Sequence, residues 1–350
     1  MKKIKVLIVE DSLVSQKLLK RILETDPDFE VVAIAENGFQ AIEYAESYKP
    51  DVISMDINMP LMDGLEATRQ IMSSNPLPIV IVSSNSKSQD IDFTIKELEA
   101  GALTVLYKPS GPGDPDFLKF SGKFRRTLKL MSEIKVVKKN YPEEGFQKIT
   151  QTNANSETLI SNIPKKSRIV AIGASAGGPE ALRKIFNRIN PNFPLPVLIV
   201  QHIDHNFSAG FANWLNTYST IPVKLAENGE TIKKGNVYLS PGGSHLMVNP
   251  DGTISLNDEL ADSVHKPSID LLFKSVGRFY GNGTIAILLS GMGRDGAVEL
   301  KKLKDIGAIT FAQDEKSSLV YGMPGEAVKI GGVCRIMSPD EIVDELNKLY

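Results

Sequence analysis

The chain has 350 residues, 42% of them hydrophobic, and a formal net charge of -2. That length favours two domains over one, and that composition supports ordinary packed cores. The near-neutral balance gives no global field for nucleic acid, while the lone Cys334 excludes an intrachain disulfide and a cysteine-rich zinc site and suits a reducing compartment.

The start, Met1-Lys2-Lys3, runs through Ile4 to Val9 into Glu10-Asp11, too short and too soon charged for a signal peptide. No apolar run approaches the length of a membrane span, so a soluble cytoplasmic protein is expected. Strands are predicted at Ile4 to Val9, Val31 to Ala35, Val52 to Met55, Ile79 to Val82 and Leu103 to Tyr107, with amphipathic helices such as Leu13 to Glu24 and Gly38 to Ser47 between them. This alternation predicts a doubly wound α/β domain over residues 1–138, its parallel sheet covered by helices on both faces. Residues 139–167 read as a linker, because Asn140 to Asn162 are rich in Thr, Asn, Ser, Glu and Gln without a sustained period; an irregular loop packed on one domain is the alternative. From Arg168 the alternation resumes, with strands predicted at Ile169 to Ile172, Val197 to Val200, Val223 to Ala226, Val237 to Ser240, Ile285 to Leu289, Ala308 to Phe311 and Val333 to Met337. Asp251-Gly252 between two β-prone runs adds an antiparallel hairpin, so residues 168–350 form a second, larger α/β domain. A last, acidic helix is expected at Pro339 to Tyr350.

In an open parallel sheet, ligands bind outside the carboxyl ends of the strands. Strand ends in the first half carry Glu10-Asp11, Asp56, Ser83-Ser84 and Lys108-Pro109. A flavodoxin-like strand order brings all of them to one edge. Clustered carboxylates repel, a hard cation such as Mg2+ relieves the repulsion, and an adjacent lysine and hydroxyl can receive an anion. That set suits phosphoryl transfer onto a carboxylate. Any one of these acids alone is usually just a solvated or helix-capping residue. Together with Asn58-Met59-Pro60 and Met62-Asp63-Gly64 they make the first half resemble a response-regulator receiver. The resemblance implies Asp56 as phospho-acceptor, Mg2+ among Glu10, Asp11, Asp56 and the Asn58 carbonyl, and Ser83 and Lys108 as sensors of the phosphoryl group. Receivers commonly have Asp where this chain has Glu10.

In the second half, Ile169 to Ile172 run into Gly173-Ala174-Ser175-Ala176-Gly177-Gly178. A small-residue turn after a buried strand presents either a nucleophilic Ser175 or a phosphate-binding loop. A dinucleotide fold needs an acid at the second strand's end, where this chain has Gln201-His202, and a P-loop needs Gly-Lys-Ser/Thr, where Pro179 follows Gly178. Both points favour the nucleophile. A base and an orienter are then required. His202 ends a neighbouring strand, whereas His205, His245 and His265 sit in loop-like contexts. Asp295 lies in the glycine-rich turn Ser290 to Gly296, and the backbone near Met292 is a candidate oxyanion donor; a turn or helix-capping role is the alternative for Asp295. The order Ser, His, Asp differs from the Ser, Asp, His of α/β-hydrolases, so that fold is not expected.

Residues from Arg168 to about Met337 resemble the catalytic domain of the chemotaxis protein-glutamate methylesterases. The matching stretches are Gly173 to Gly178, Gln201-His202, Ser240-Pro241-Gly242 with His245-Leu246, Pro267-Ser268-Ile269-Asp270, Leu289 to Gly296 and Ser317 to Pro324. The resemblance implies a Ser175, His202 and Asp295 triad, with Met292 as oxyanion donor and no cofactor at the esterase site. Implied partners are methyl-accepting chemoreceptors as substrates and a histidine kinase as phosphodonor. The family usually has Thr after the nucleophile, where this chain has Ala176. A phosphorylation-controlled scaffold with weakened or lost esterase activity is therefore the alternative.

Overall fold

The computed structural model describes residues 2–83, 101–109, 111, 113–134, 136, 168–203, 205–258 and 265–349. The expected linker 139–167 and Ser84 lie outside the described residues. In the first half, strands β1 (Ile4–Val9), β2 (Phe29–Ala35), β3 (Val52–Met55), β4 (Ile79–Ser83) and β5 (Thr104–Tyr107) form one sheet in the order β2-β1-β3-β4-β5, every pair parallel. This is the flavodoxin-like order, and it sets the ends of β1, β3 and β5 around one crevice.

Period-2 alternation decides which face each residue enters. Val6 and Ile8 pack with Leu19 and Leu23 of helix α1 (Leu13–Glu24) and with Phe120, Phe124 and Leu128 of a later helix (Phe117–Ser132). Leu7 and Val9 point the other way, into Ala41 and Ala45 of α2 (Gly38–Tyr48) and Ala67, Ile71 and Met72 of α3 (Gly64–Ser74). Side-chain caps set three of the helix starts: Ser12, Asn37 and Asp63 accept from the backbone N–H three residues on.

The second half is a seven-stranded parallel sheet. Its strands are β6 (Ile169–Ala174), β7 (Val197–Gln201), β8 (Val223–Leu225), β9 (Val237–Leu239), β12 (Thr284–Leu288), β13 (Ile309–Gln313) and β14 (Arg335–Met337), in the order β14-β13-β12-β6-β7-β9-β8. The antiparallel hairpin is β10 (His245–Val248) with β11 (Ile254–Asn257). The chain enters at central β6, builds outward through β7, then crosses back to β12, so β6 stands at the topological switch. Two apolar layers bury the sheet, one with helices Gly178–Arg188, His205–Tyr218 and Pro339–Asn347, the other with Ile269–Tyr280 and Ala297–Asp305. His205 opens a helix and buried His245 opens a strand, rather than lying in loops. Other element boundaries move by one to three residues in either direction; β6 and β7 run past their most apolar residues, where Ala174 pairs with Gln201.

The two halves share one apolar cluster. Ala176, Leu319, Val320 and Met292 of the second pack with first-half residues that include Leu103, Val105 and Met131. Beside it, Tyr107 of β5 stacks on Phe207, with ring centroids 4.9 Å apart and planes 16° from parallel.

Candidate active site and acidic site

Three strand ends meet at the switch point. Ser175 follows β6, and its N–H donates to the Ser290 carbonyl beyond β12 at 3.0 Å. His202 follows β7, and its N–H donates to the Ala174 carbonyl at 2.9 Å. The Gln201 amide donates to the Ser175 carbonyl at 2.9 Å, so the turn is held from both neighbouring strands. Gly177 must turn left-handed (φ 79), and a Cβ there would meet Ser290 Oγ at 2.6 Å. A Cβ at Gly291 would meet Ser175 Cβ at 2.7 Å, so glycine is what lets the turn after β12 approach the serine.

His202 Nε2 lies 2.8 Å from Asp295 Oδ2. The same carboxylate accepts from the N–H groups of Ile269 (2.8 Å) and Asp270 (3.0 Å) and from Ser268 Oγ (3.2 Å), all at the start of helix Ile269–Tyr280. Burial pushes the Asp295 pKa up, but the His202 hydrogen bond and charge and the backbone donors outweigh it, leaving it at about 2. Asp295 therefore stays an anion at any working pH.

Ser175, His202 and Met292 line one cavity of about 500 Å³ that opens between the halves; Leu106 and Met131 of the first half form its far wall. Among the described residues Ser175 Oγ makes no hydrogen bond, and the Met292 N–H donates to no other group. Ala176 is buried in the apolar cluster shared by the halves, and its carbonyl accepts from Ser290 Oγ at 2.7 Å. The hydroxyl that grips this turn thus comes from Ser290.

At the other crevice, ligand oxygens of Glu10, Asp11 and Asp56 lie within 4.8 Å of one another. Lys108 Nζ reaches Glu10 Oε2 at 2.5 Å and Asp56 Oδ2 at 3.2 Å, with all three side chains buried. Burial raises the Glu10 pKa; Lys108 pulls it down, and the Asp56 charge pushes it up. Three oxygen donors, one of them exposed, and more buried negative charge than one lysine balances are what a hard cation needs, so the residues present fit one. Ser83 is buried at the end of β4, and Asn58 lies exposed two residues past Asp56.

Sequence reasoning missed His265, whose ring stacks on His202 at 4.5 Å and 17°. It also left Ser268 and Asp270 without a role, although their motif was visible.

The fold and the two sites define a two-domain protein in which a receiver-type α/β domain precedes an α/β domain carrying a Ser–His–Asp cluster. Comparison with known proteins agrees. Residues 170–346 match the CheB methylesterase family, and residues 6–114 match the response regulator receiver domain. A Geobacter metallireducens protein named protein-glutamate methylesterase/protein-glutamine glutaminase 4 is 42% identical, with 99% of each chain covered. A Syntrophus aciditrophicus protein named protein-glutamate methylesterase/protein-glutamine glutaminase 1 is 43% identical over 99% of this chain and 98% of its own. The crystal structure of the Thermotoga maritima CheB methylesterase catalytic domain superposes with a TM-score of 0.51 at 33% identity, covering 53% of this chain and 99% of that one. The chain belongs to the CheB methylesterase family, with a receiver domain ahead of the catalytic domain.

Proposed function

We propose that the protein is a phosphorylation-regulated serine hydrolase that demethylates glutamate methyl esters, and deamidates certain glutamines, on chemoreceptors. The observation that carries this reading is the His202–Asp295 pair at the strand end beside Ser175, inside one cavity. Asp295 occupies Nε2 of His202, so the nitrogen left to act as base is Nδ1. Ser175 Oγ attacks the γ-carbonyl of the ester as His202 takes its proton. The tetrahedral oxyanion is met by the unengaged Met292 N–H. His202 returns the proton to departing methoxide, which leaves as methanol. Water then attacks the acyl-serine with His202 again as base, releasing glutamate and restoring Ser175. The missing Ser175–His202 hydrogen bond is expected to form once substrate orders the site.

The receiver controls access. Asp56 is the proposed phospho-acceptor for a histidine kinase, and the far wall of the cavity belongs to the receiver. Mg2+ would be held by Glu10, Asp11, Asp56 and the Asn58 carbonyl, where it would neutralise charge around the acceptor carboxylate. Lys108 and Ser83 would then engage the phosphoryl group, disturbing β5 and with it the Tyr107–Phe207 stack. The chemoreceptor is the only membrane connection proposed, and the lone Cys334 fits a cytoplasmic setting.

Methanol release from a methylated receptor tests the reading. Ser175→Ala should abolish release while the fold persists, and undiminished release by that variant would refute it. The scaffold alternative predicts little or no release from the wild-type chain, with or without phosphodonor.

A further inference from the structure

Both members of the His202–Asp295 pair are touched by one short segment, His265 to Asp270. The His265 ring lies nearly parallel on the His202 ring, with centroids 4.5 Å apart. Four residues on, Ile269 N–H and Asp270 N–H donate to the two Asp295 carboxylate oxygens, and Ser268 Oγ adds a third bond. The contact is reciprocal: Asp270 Oδ1 accepts from Gly296 N–H, the residue after Asp295, at 3.0 Å. The turn carrying Asp295 and the start of the helix are therefore latched in both directions.

We propose that residues 265–270 form a brace for the catalytic pair, in which the His265 ring fixes the plane of the His202 imidazole and the Asp270 side chain locks the Asp295 turn to the helix start. The inference rests on the Ser175, His202 and Asp295 reading above. His265 and Asp270 are positioning residues, because each acts through its neighbour.

The chemistry explains the choice of groups. His202 must rotate little while it takes and returns a proton, and a stacked ring restricts rotation without competing for either nitrogen. Burial first, and then the His202 charge, lower the His265 pKa, although Asp295 works the other way. His265 therefore stays neutral while His202 becomes a cation, and a neutral aromatic face beside a transient imidazolium is favourable. Asp270 faces the Asp295 carboxylate, the Gly296 N–H, Glu299 and, more distantly, Lys302. An anion there would be repelled by Asp295, and the Gly296 hydrogen bond holds it in place.

Full-length protein with phosphodonor is assayed for kcat and KM with methylated receptor. His265→Ala should lower kcat about tenfold, with KM changed less than about twofold, as misorientation of a base does. His265→Phe keeps a ring face and should recover most of the loss. Asp270→Ala should lower kcat to a similar degree, and Asp270→Asn, which keeps the acceptor for Gly296, should restore it. The brace is overturned by wild-type kcat in either alanine variant, or by failure of Phe and Asn to improve on Ala. Failure of the underlying reading looks different: Ser175→Ala would then keep turning over. A dead Ser175→Ala beside a fully active His265→Ala rejects the brace alone.

Discussion

Both domains place their charged groups at the carboxyl ends of parallel strands, yet they hold them by opposite means. In the receiver, buried Glu10 and Asp56 share one side-chain cation, Lys108. In the catalytic domain, buried Asp295 is held by backbone N–H groups, a hydroxyl and an imidazole. A lysine side chain can swing to another anion. Backbone donors at a helix start cannot, because moving them means moving the helix. The receiver site is thus held by a movable group and the hydrolase site by fixed ones.

Breaking the fixed side should have the largest effect. Asp295→Asn turns an amide toward donors that expect an acceptor and leaves the imidazole without its orienting anion. A loss of about 10³–10⁴-fold in kcat is expected. A loss below tenfold would mean that the helix start, and not the carboxylate, organises the base. On the exchangeable side, Asp56→Ala removes the proposed acceptor. The whole increase in methanol release produced by a small phosphodonor with Mg2+ should disappear, and stimulation equal to wild type would contradict the assignment.

The join between the domains should respond more gently. The Tyr107–Phe207 stack contributes about 1 kcal/mol by the usual range for aromatic pairs. If the closed arrangement limits the unphosphorylated enzyme, Tyr107→Ala should raise its activity roughly fivefold, the population shift that energy allows. An unchanged basal rate would place the control elsewhere in the shared cluster.

The strand ends were legible because short apolar runs locate parallel strands, and the residues just past them are the ones a doubly wound sheet exposes to ligand. Glu10, Asp56, Lys108, Ser175 and His202 were found in that way. Without the family resemblance, Asp295 was readable only as an acid in a glycine-rich turn, with a capping role open. What stayed hidden was second-order. The grip on Asp295 comes largely from backbone N–H groups, which leave no mark in side-chain identity, and the His265–His202 stack joins segments distant in the chain. Gln201 looked like the absence of a ribose-binding acid, whereas its amide holds the Ser175 carbonyl. Ala176, which lacks the usual hydroxyl, did not show that Ser290 grips this turn or that its own methyl group packs into the cluster shared by the domains.

The smallest effect separates the two ways of holding charge by pH. Burial, followed by the Asp295 charge, raises the Asp270 pKa from 3.8 to about 6. A carboxyl whose folded pKa is raised contributes stability below its unfolded value and loses it as pH climbs through the folded one. Asp270 should therefore weaken the catalytic domain progressively between about pH 4 and pH 6 and leave it weakened above. Asp270→Asn keeps the acceptor for Gly296 and removes the charge, so it should stabilise by ~1 kcal/mol at pH 7.5, or about 2 °C in Tm, and by nothing near pH 4. Asp295 behaves oppositely: its pKa of about 2 means its stabilisation is present above about pH 4 and fades only as pH falls toward 2. Thermal melts of wild type and Asp270→Asn at both pH values decide the matter. An equal shift at pH 4 and pH 7.5 would show that the Asp270 charge is already balanced, and that the latch to Gly296 carries no electrostatic strain for the helix start to absorb.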